Sequence, residues 1–210
     1  MGLGKTLQAL SIALSRSAQG PTLVLAPTSV CMNWSEEASR FAPTLRPLIF
    51  GEYSGGERTV LIEQLAPYDL VICSYGLLQR EAKLLQSIEW QTVVVDEAQA
   101  VPDETMEALR LLTNLETEKH RLLQVVLFGQ PELDYRLEQG RLRQLHQRVV
   151  FSSRISPLSL QRVEKYIDHR LNVAGHRGES LFTQTAMRLL FQGSRGEPRL
   201  LNILAHKALC

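Results

Sequence analysis

Residues 93–99 read Val93-Val94-Val95-Asp96-Glu97-Ala98-Gln99, three β-branched residues running straight into two carboxylates. An apolar run without alternation is what a strand buried on both faces of a parallel sheet requires. In such sheets ligands gather outside the carboxyl ends of the strands. The stretch therefore predicts a doubly wound α/β fold that delivers Asp96 and Glu97 to its ligand-binding edge. The alternative for the acidic pair is the first turn of a helix, where carboxylates complement the helix dipole.

Toward the N-terminus, Gly2-Leu3-Gly4-Lys5-Thr6 is followed by Leu7-Gln8-Ala9-Leu10-Ser11-Ile12-Ala13-Leu14. The first five residues are the second half of G-x-x-x-x-G-K-[ST], in which backbone N–H groups cradle phosphates, the lysine neutralises them and the hydroxyl holds Mg²⁺. The next eight have helical periodicity, so the loop opens a helix whose amide end faces the anion. Gly2, Gly4, Lys5 and Thr6 are thus expected to bind nucleotide phosphates. Alone, Gly-Lys-Thr reads equally as a helix start with a lysine on a solvated face. Coupled to Asp96-Glu97, it predicts a site where Thr6 and Asp96 hold Mg²⁺ and Glu97 polarises an attacking water. The pattern's first glycine would fall two residues before Met1, and the strand that feeds such a loop earlier still. The expected fold is a P-loop NTPase (RecA/AAA+-like) parallel sheet lacking its first strand.

Further apolar runs alternate with helical stretches at 22–26, 48–50, 69–73 and 123–128, with turn residues at Gly20-Pro21, Gly51 to Gly56, Ala66-Pro67 and Val101-Pro102. After about Ile155 the strand signals stop. Three amphipathic helices are expected near 159–173, 183–192 and 198–209, with Ser159 and Thr183 as N-caps and Gly175 and Gly193 as stops. This divides the chain into a sheet domain, 1–154, and a C-terminal helical lid, 155–210.

The 210 residues carry 23 Lys and Arg against 22 Asp and Glu, so no global basic field announces a nucleic acid or an anionic membrane, although a local patch stays open. Cys31, Cys73 and Cys210 are odd in number and widely spaced, which reads as free thiols rather than a disulfide or metal framework. No apolar run is long enough to span a bilayer and no signal peptide precedes the loop, so the expected location is cytoplasmic.

Residues 1–100 resemble the first motor lobe of Swi/Snf-type helicase-like ATPases of superfamily two. The resemblance rests on Met1-Gly2-Leu3-Gly4-Lys5-Thr6-Leu7-Gln8, Leu25-Ala26-Pro27-Thr28-Ser29-Val30 with Asn33-Trp34, Ser74-Tyr75-Gly76, and Asp96-Glu97-Ala98-Gln99. It implies ATP as the nucleotide and phosphate-backbone contacts to DNA from Pro27, Thr28, Ser74 and Tyr75, segments that otherwise read as ordinary strand-to-loop turns. Beyond Val101 the motor family's third motif, second lobe and arginine-bearing sixth motif do not appear.

Residues 93–209 resemble instead AAA+ ATPases of secretion and pilus biogenesis, of the ExeA and MshM kind. That resemblance rests on the shared acidic motif, residues 107–117, Leu127-Phe128-Gly129-Gln130-Pro131-Glu132-Leu133 and Gly196-Glu197-Pro198-Arg199-Leu200-Leu201-Asn202. It implies a sensor role for Gln130, an arginine finger at Arg148 (or Arg143) acting on a neighbouring subunit, and a second sensor at Arg199. The junction between the two resemblances falls near 93–102. The leading expectation is an AAA+-like ATPase of assembly or secretion that works as a homo-oligomer. The alternatives are a Swi/Snf-type DNA-dependent ATPase lobe with chromatin-like partners, and an inactive truncated or chimeric fragment.

Overall fold

The computed structural model of the chain describes residues 4–113, 123–139, 142, 146–147 and 149–209. It divides into two compact units, one from Lys5 to Val150 and one from Phe151 onward, with which Gly4 is also grouped. Gly2, Arg143 and Arg148, each given a role above, lie outside the described residues.

The first unit is a five-stranded parallel sheet: β1 (Thr22–Ala26), β2 (Arg46–Ile49), β3 (Asp69–Ser74), β4 (Thr92–Val95) and β5 (Gln124–Leu127), in the spatial order β2-β3-β1-β4-β5. The central strands are buried along nearly their whole length, while β2 and β5 are half-exposed edges. That pattern is why the central runs lack alternation. Among the described residues no strand precedes the first helix.

Alternate residues of each strand feed opposite faces. Leu23, Leu25, Val71, Cys73, Val93 and Val95 pack with Phe50, Leu78, Trp90 and Met106 on one side. Val24, Ala26, Leu70, Ile72 and Val94 pack on the other, against Ala9, Leu10 and Ala13 of α1 (Lys5–Arg16) and Trp34 and Ala38 of α2 (Cys31–Phe41). The remaining helices of this unit are α3 (Gly55–Glu63), α4 (Tyr75–Arg80), α5 (Ala82–Gln86), α6 (Asp103–Thr113) and α7 (Glu132–Glu138). Cys31 and Cys73 are buried free thiols and belong to opposite faces of the sheet. Burial raises the pKa of both.

The second unit holds α8 (Leu160–Val173), α9 (Gln184–Ser194) and α10 (Pro198–Leu209) around Val163, Ile167, Phe182, Met187, Leu190 and Leu201. No helix among the described residues is long and apolar enough to cross a membrane.

Four local expectations change. The strand expected at 48–50 runs from Arg46 to Ile49, because Phe50 turns into a short 3₁₀ segment and buries its ring completely. The strand expected at 123–128 is β5 alone, Gln124–Leu127, with Phe128 leaving it to bond back to Val95. Ser159 occupies the N-cap position of α8 but its side chain accepts no helix N–H, whereas Thr183 accepts from Ala186. Gly193 does not stop α9 but lies within it, where a Cβ would come within 3.0 Å of Leu204. The helix ends instead at Arg195 and Gly196, with φ of +50° and +76°, the left-handed exit that closes many helices.

Candidate active site

The five parallel strands have their carboxyl ends on one side of the sheet, and the chain turns sharply there after β4. Glu97 sits in the left-handed region, φ +49° and ψ +44°, which costs a side-chain-bearing residue about 1–2 kcal/mol. Glu97 is the N-cap of a short 3₁₀ turn, Ala98–Ala100, so the acidic pair stands just ahead of that turn and not within the first turn of an α-helix. The turn is held by several bonds. The Tyr75 hydroxyl donates to the Asp96 carbonyl, the Glu97 N–H donates to Asp96 Oδ1 at 2.9 Å, and the Ala100 N–H donates to the Glu97 carbonyl at 2.8 Å. Beyond the kink, the Ala98 N–H reaches the Phe128 carbonyl at 2.8 Å and so rejoins the β4–β5 ladder. A backbone strained at one residue and pinned on both sides of it is a feature of functional sites.

The strain aims the Glu97 carboxylate at Lys5, whose ammonium lies 2.9 Å from Oε1 although 92 residues separate the two. Oε2 accepts from Gln99 Nε2 at 2.7 Å and from Gln130 Nε2 at 3.4 Å. Gln99 Oε1 in turn accepts the Gln130 backbone N–H at 3.0 Å. Arg136 of α7 donates to the Gln99 carbonyl and pairs with Asp103 at 2.7 Å. The Gln99 hydrogen bond, then Lys5 and Gln130, hold the Glu97 pKa below the usual carboxylate value against partial desolvation.

Asp96 is fixed separately. Its Oδ2 accepts the indole N–H of Trp34 at 3.1 Å, so both oxygens carry a protein donor. Trp34 is nearly fully buried in α2; a buried indole places its one donor with care, and here the partner is the acidic residue expected to hold a metal.

Thus Lys5 and Gln130 meet at the Glu97 carboxylate, next to Asp96. Thr6 follows Lys5 at the start of α1. Gly4, just before that helix, has φ +75° with nothing within 4 Å of where a Cβ would stand. Arg199 belongs to α10 in the second unit. Of the residues expected along a DNA backbone, Thr28 and Ser74 line one cavity of ≈ 260 Å³ with Cys31, Met32, Ile49, Gly51 and Ile72. The Tyr75 hydroxyl turns inward to Asp96.

Residues 1–126 match the SNF2-related domain. The chain belongs to the SNF2-related domain family. Among curated relatives it is 41% identical over 116 residues to the chromatin-remodeling ATPase INO80 of Arabidopsis thaliana, covering 48% of this chain and 8% of that protein. It is 50% identical over 117 residues to general secretion pathway protein A of Aeromonas hydrophila, covering 56% of this chain and 21% of that protein. The SNF2-related chain thus spans about a fifth or less of these relatives. Among solved structures it is similar to the Sulfolobus solfataricus SWI2/SNF2 ATPase core in complex with dsDNA, at 34% identity and a TM-score of 0.48 over 62% of this chain and 26% of that one.

Both resemblances expected from the motifs are therefore found. A 126-residue and a 117-residue match do not fit side by side in 210 residues, so the SNF2-related and secretion-type similarities share part of the chain. Sequence reading missed three residues of this site. Trp34 and Gln99 stood inside quoted motifs without a role, and Arg136 stood in none.

Proposed function

We propose that this chain binds ATP and hydrolyses it with Mg²⁺. The observation that carries the reading is the Lys5–Glu97 ion pair, which unites the glycine-loop lysine with the acid at the end of β4. The residues fit the nucleotide: an open backbone cradle at Gly4, the amide end of a 12-residue helix, a lysine and a hydroxyl in succession. Lys5 would neutralise phosphate oxygens, and Thr6 with Asp96 would hold the metal ion. Mg²⁺, when bound, supplies charge neutralisation across the phosphates. Trp34 and the Glu97 N–H fix the Asp96 carboxylate for that duty. Lys5 leaves Glu97 to meet the phosphates, which frees Oε1 to orient water; Gln130 and Gln99 keep Oε2 in place. A carboxylate with a lowered pKa orients and polarises water better than it removes a proton.

The work we assign to this turnover is AAA+-like assembly or secretion in the cytoplasm, with residues 1–154 as the nucleotide domain and 155–210 as its lid. Gln130 supports it, since its side chain at the end of β5 reaches the same carboxylate as the lysine. In this reading Arg148 acts in trans on a neighbouring subunit and Arg199 senses nucleotide from the lid. A second reading, a DNA-dependent motor lobe, is favoured by the 1–126 match and by the cavity shared by Thr28 and Ser74.

The test is Mg²⁺-dependent ATP hydrolysis by the purified chain beside Lys5→Ala and Glu97→Gln, expected to lose about 100-fold or more. Turnover that rises with protein concentration and falls in Arg148→Ala supports the assembly reading, while stimulation by duplex DNA supports the motor. Wild-type turnover no greater than that of the variants defeats the ATPase reading and leaves the inactive fragment.

A further inference from the structure

Near-neutral net charge conceals a division between the two units. Residues 151–210 hold nine of the 23 Lys and Arg but only four of the 22 Asp and Glu, a net +5, which leaves residues 1–150 at −4. All nine cations of the second unit are exposed. Such an asymmetry between parts of one chain is the electrostatic footprint of a polyanionic partner.

The cations are also sorted by face. At 3.6 residues per turn, Arg162, Lys165 and Arg170 of α8 share an arc of about 140° that includes Tyr166, while Glu164 and Asp168 fall roughly opposite Tyr166. Val163 and Ile167, which form the core with Leu201 of α10, flank that arc on one side. Tyr166 and Asn202 are bonded to each other, the hydroxyl to Oδ1 at 3.2 Å and Nδ2 to the hydroxyl at 3.0 Å. This bridge ties α8 to α10 beside the shared core residues Val163, Ile167 and Leu201. The result is a row of cations around a phenol and a carboxamide.

We propose that this seam of α8 and α10 binds the phosphate backbone of nucleic acid. Charge complementarity selects that occupant: arginine and lysine neutralise phosphates, and the Asn202 amide, which has a second N–H beyond the one given to Tyr166, is a neutral donor of the kind that completes backbone contacts without reading bases. Spacing along α8 suits a row of charges, since Arg162, Lys165 and Arg170 span about two helical turns on the same side. The seam belongs to a different unit from the nucleotide site, and its binding needs no ATP.

The experiment is fluorescence anisotropy of a short labelled DNA duplex with the full chain, without nucleotide, across a salt series. Comparison is with the triple variant Arg162→Glu/Lys165→Glu/Arg170→Glu and with Arg40→Glu, an exposed charge reversal on α2. The triple variant is expected to bind at least about tenfold more weakly, with a salt slope shallower by about 0.9 for each phosphate it no longer neutralises. Arg40→Glu is expected to bind like wild type. Replacing the two arginines by lysine, which keeps the charge, should retain binding, and circular dichroism will confirm that each variant is folded. Unchanged affinity in the triple variant overturns the proposal. So does equal competition by polyglutamate, which would mean an acidic protein partner, or binding to phosphatidylserine vesicles but not to duplex, which would mean a membrane surface.

Discussion

The two units are built on opposite terms. In the sheet unit, contacts that matter join residues far apart in sequence: Lys5 to Glu97, Trp34 to Asp96, Tyr75 to the Asp96 carbonyl. In the helical unit, the core comes from six residues within one short stretch, and every Lys and Arg points to solvent. One unit spends its polar groups inside a site held under strain; the other spends them on a surface. Chemistry is to be sought in the first and docking in the second. Because each unit has its own apolar cluster, damage to one core is expected to leave the other standing.

The most severe break in that comparison is Gly196→Ala. A Cβ there would lie 2.1 Å from the Leu158 carbonyl oxygen, at a φ of +76°. Left-handed strain and forced overlap together cost about 2–5 kcal/mol. Both tryptophans, Trp34 and Trp90, belong to the sheet unit, so their emission reports that unit alone while far-ultraviolet circular dichroism reports helices from both. The expected result is early loss of part of the helical signal with an unmoved tryptophan transition. If both signals shift together, the units are one cooperative structure and the contrast fails.

A smaller effect is expected from Trp34→Phe, which keeps an aromatic ring in the core of α2 but removes the donor to Asp96. Leaving a partly buried carboxylate oxygen without its partner costs about 1–3 kcal/mol. If the indole positions Asp96 for a metal ion, the Mg²⁺ concentration needed for half-maximal turnover rises as well. A lower melting temperature with an unchanged Mg²⁺ requirement would make Trp34 a packing residue only.

What the sequence disclosed follows the same divide. Val93 to Val95 and the runs at 22–26 and 69–73 announce themselves because full burial demands unbroken apolar stretches. Asp96, Glu97, Lys5 and Thr6 stand out in sequence because phosphate-binding motifs restrict spacing, and the structure brings Lys5 to Glu97. Trp34 is not, since a hydrogen bond across 62 residues leaves no periodic trace. Gly193 misleads because a glycine kept for close approach to Leu204 looks the same in sequence as one kept for a turn. The basic seam is hidden by summation: a net charge of +1 is the sum of an acidic unit and a basic one.

The finest test of the strained site concerns Gln99. Its amide donates the hydrogen bond that does most to hold the Glu97 pKa below the usual carboxylate value. With the pKa lowered in the folded state, Glu97 contributes stability that is fully present above the ordinary carboxylate pKa and is lost as pH falls through the lowered value. In Gln99→Ala, Lys5 and Gln130 remain as donors, so the pKa rises only part of the way back. The acid limb of the pH–rate profile therefore moves to higher pH, and an NMR titration of the Glu97 carboxyl carbon moves with it, even if turnover is limited by another step. Gln130 also loses the acceptor for its backbone N–H in this variant, which loosens the loop after β5. A titration that stays at the wild-type position would show that Lys5, not the amide relay, sets the charge of the acid, and the site would then hinge on a single ion pair that nucleotide binding itself must open.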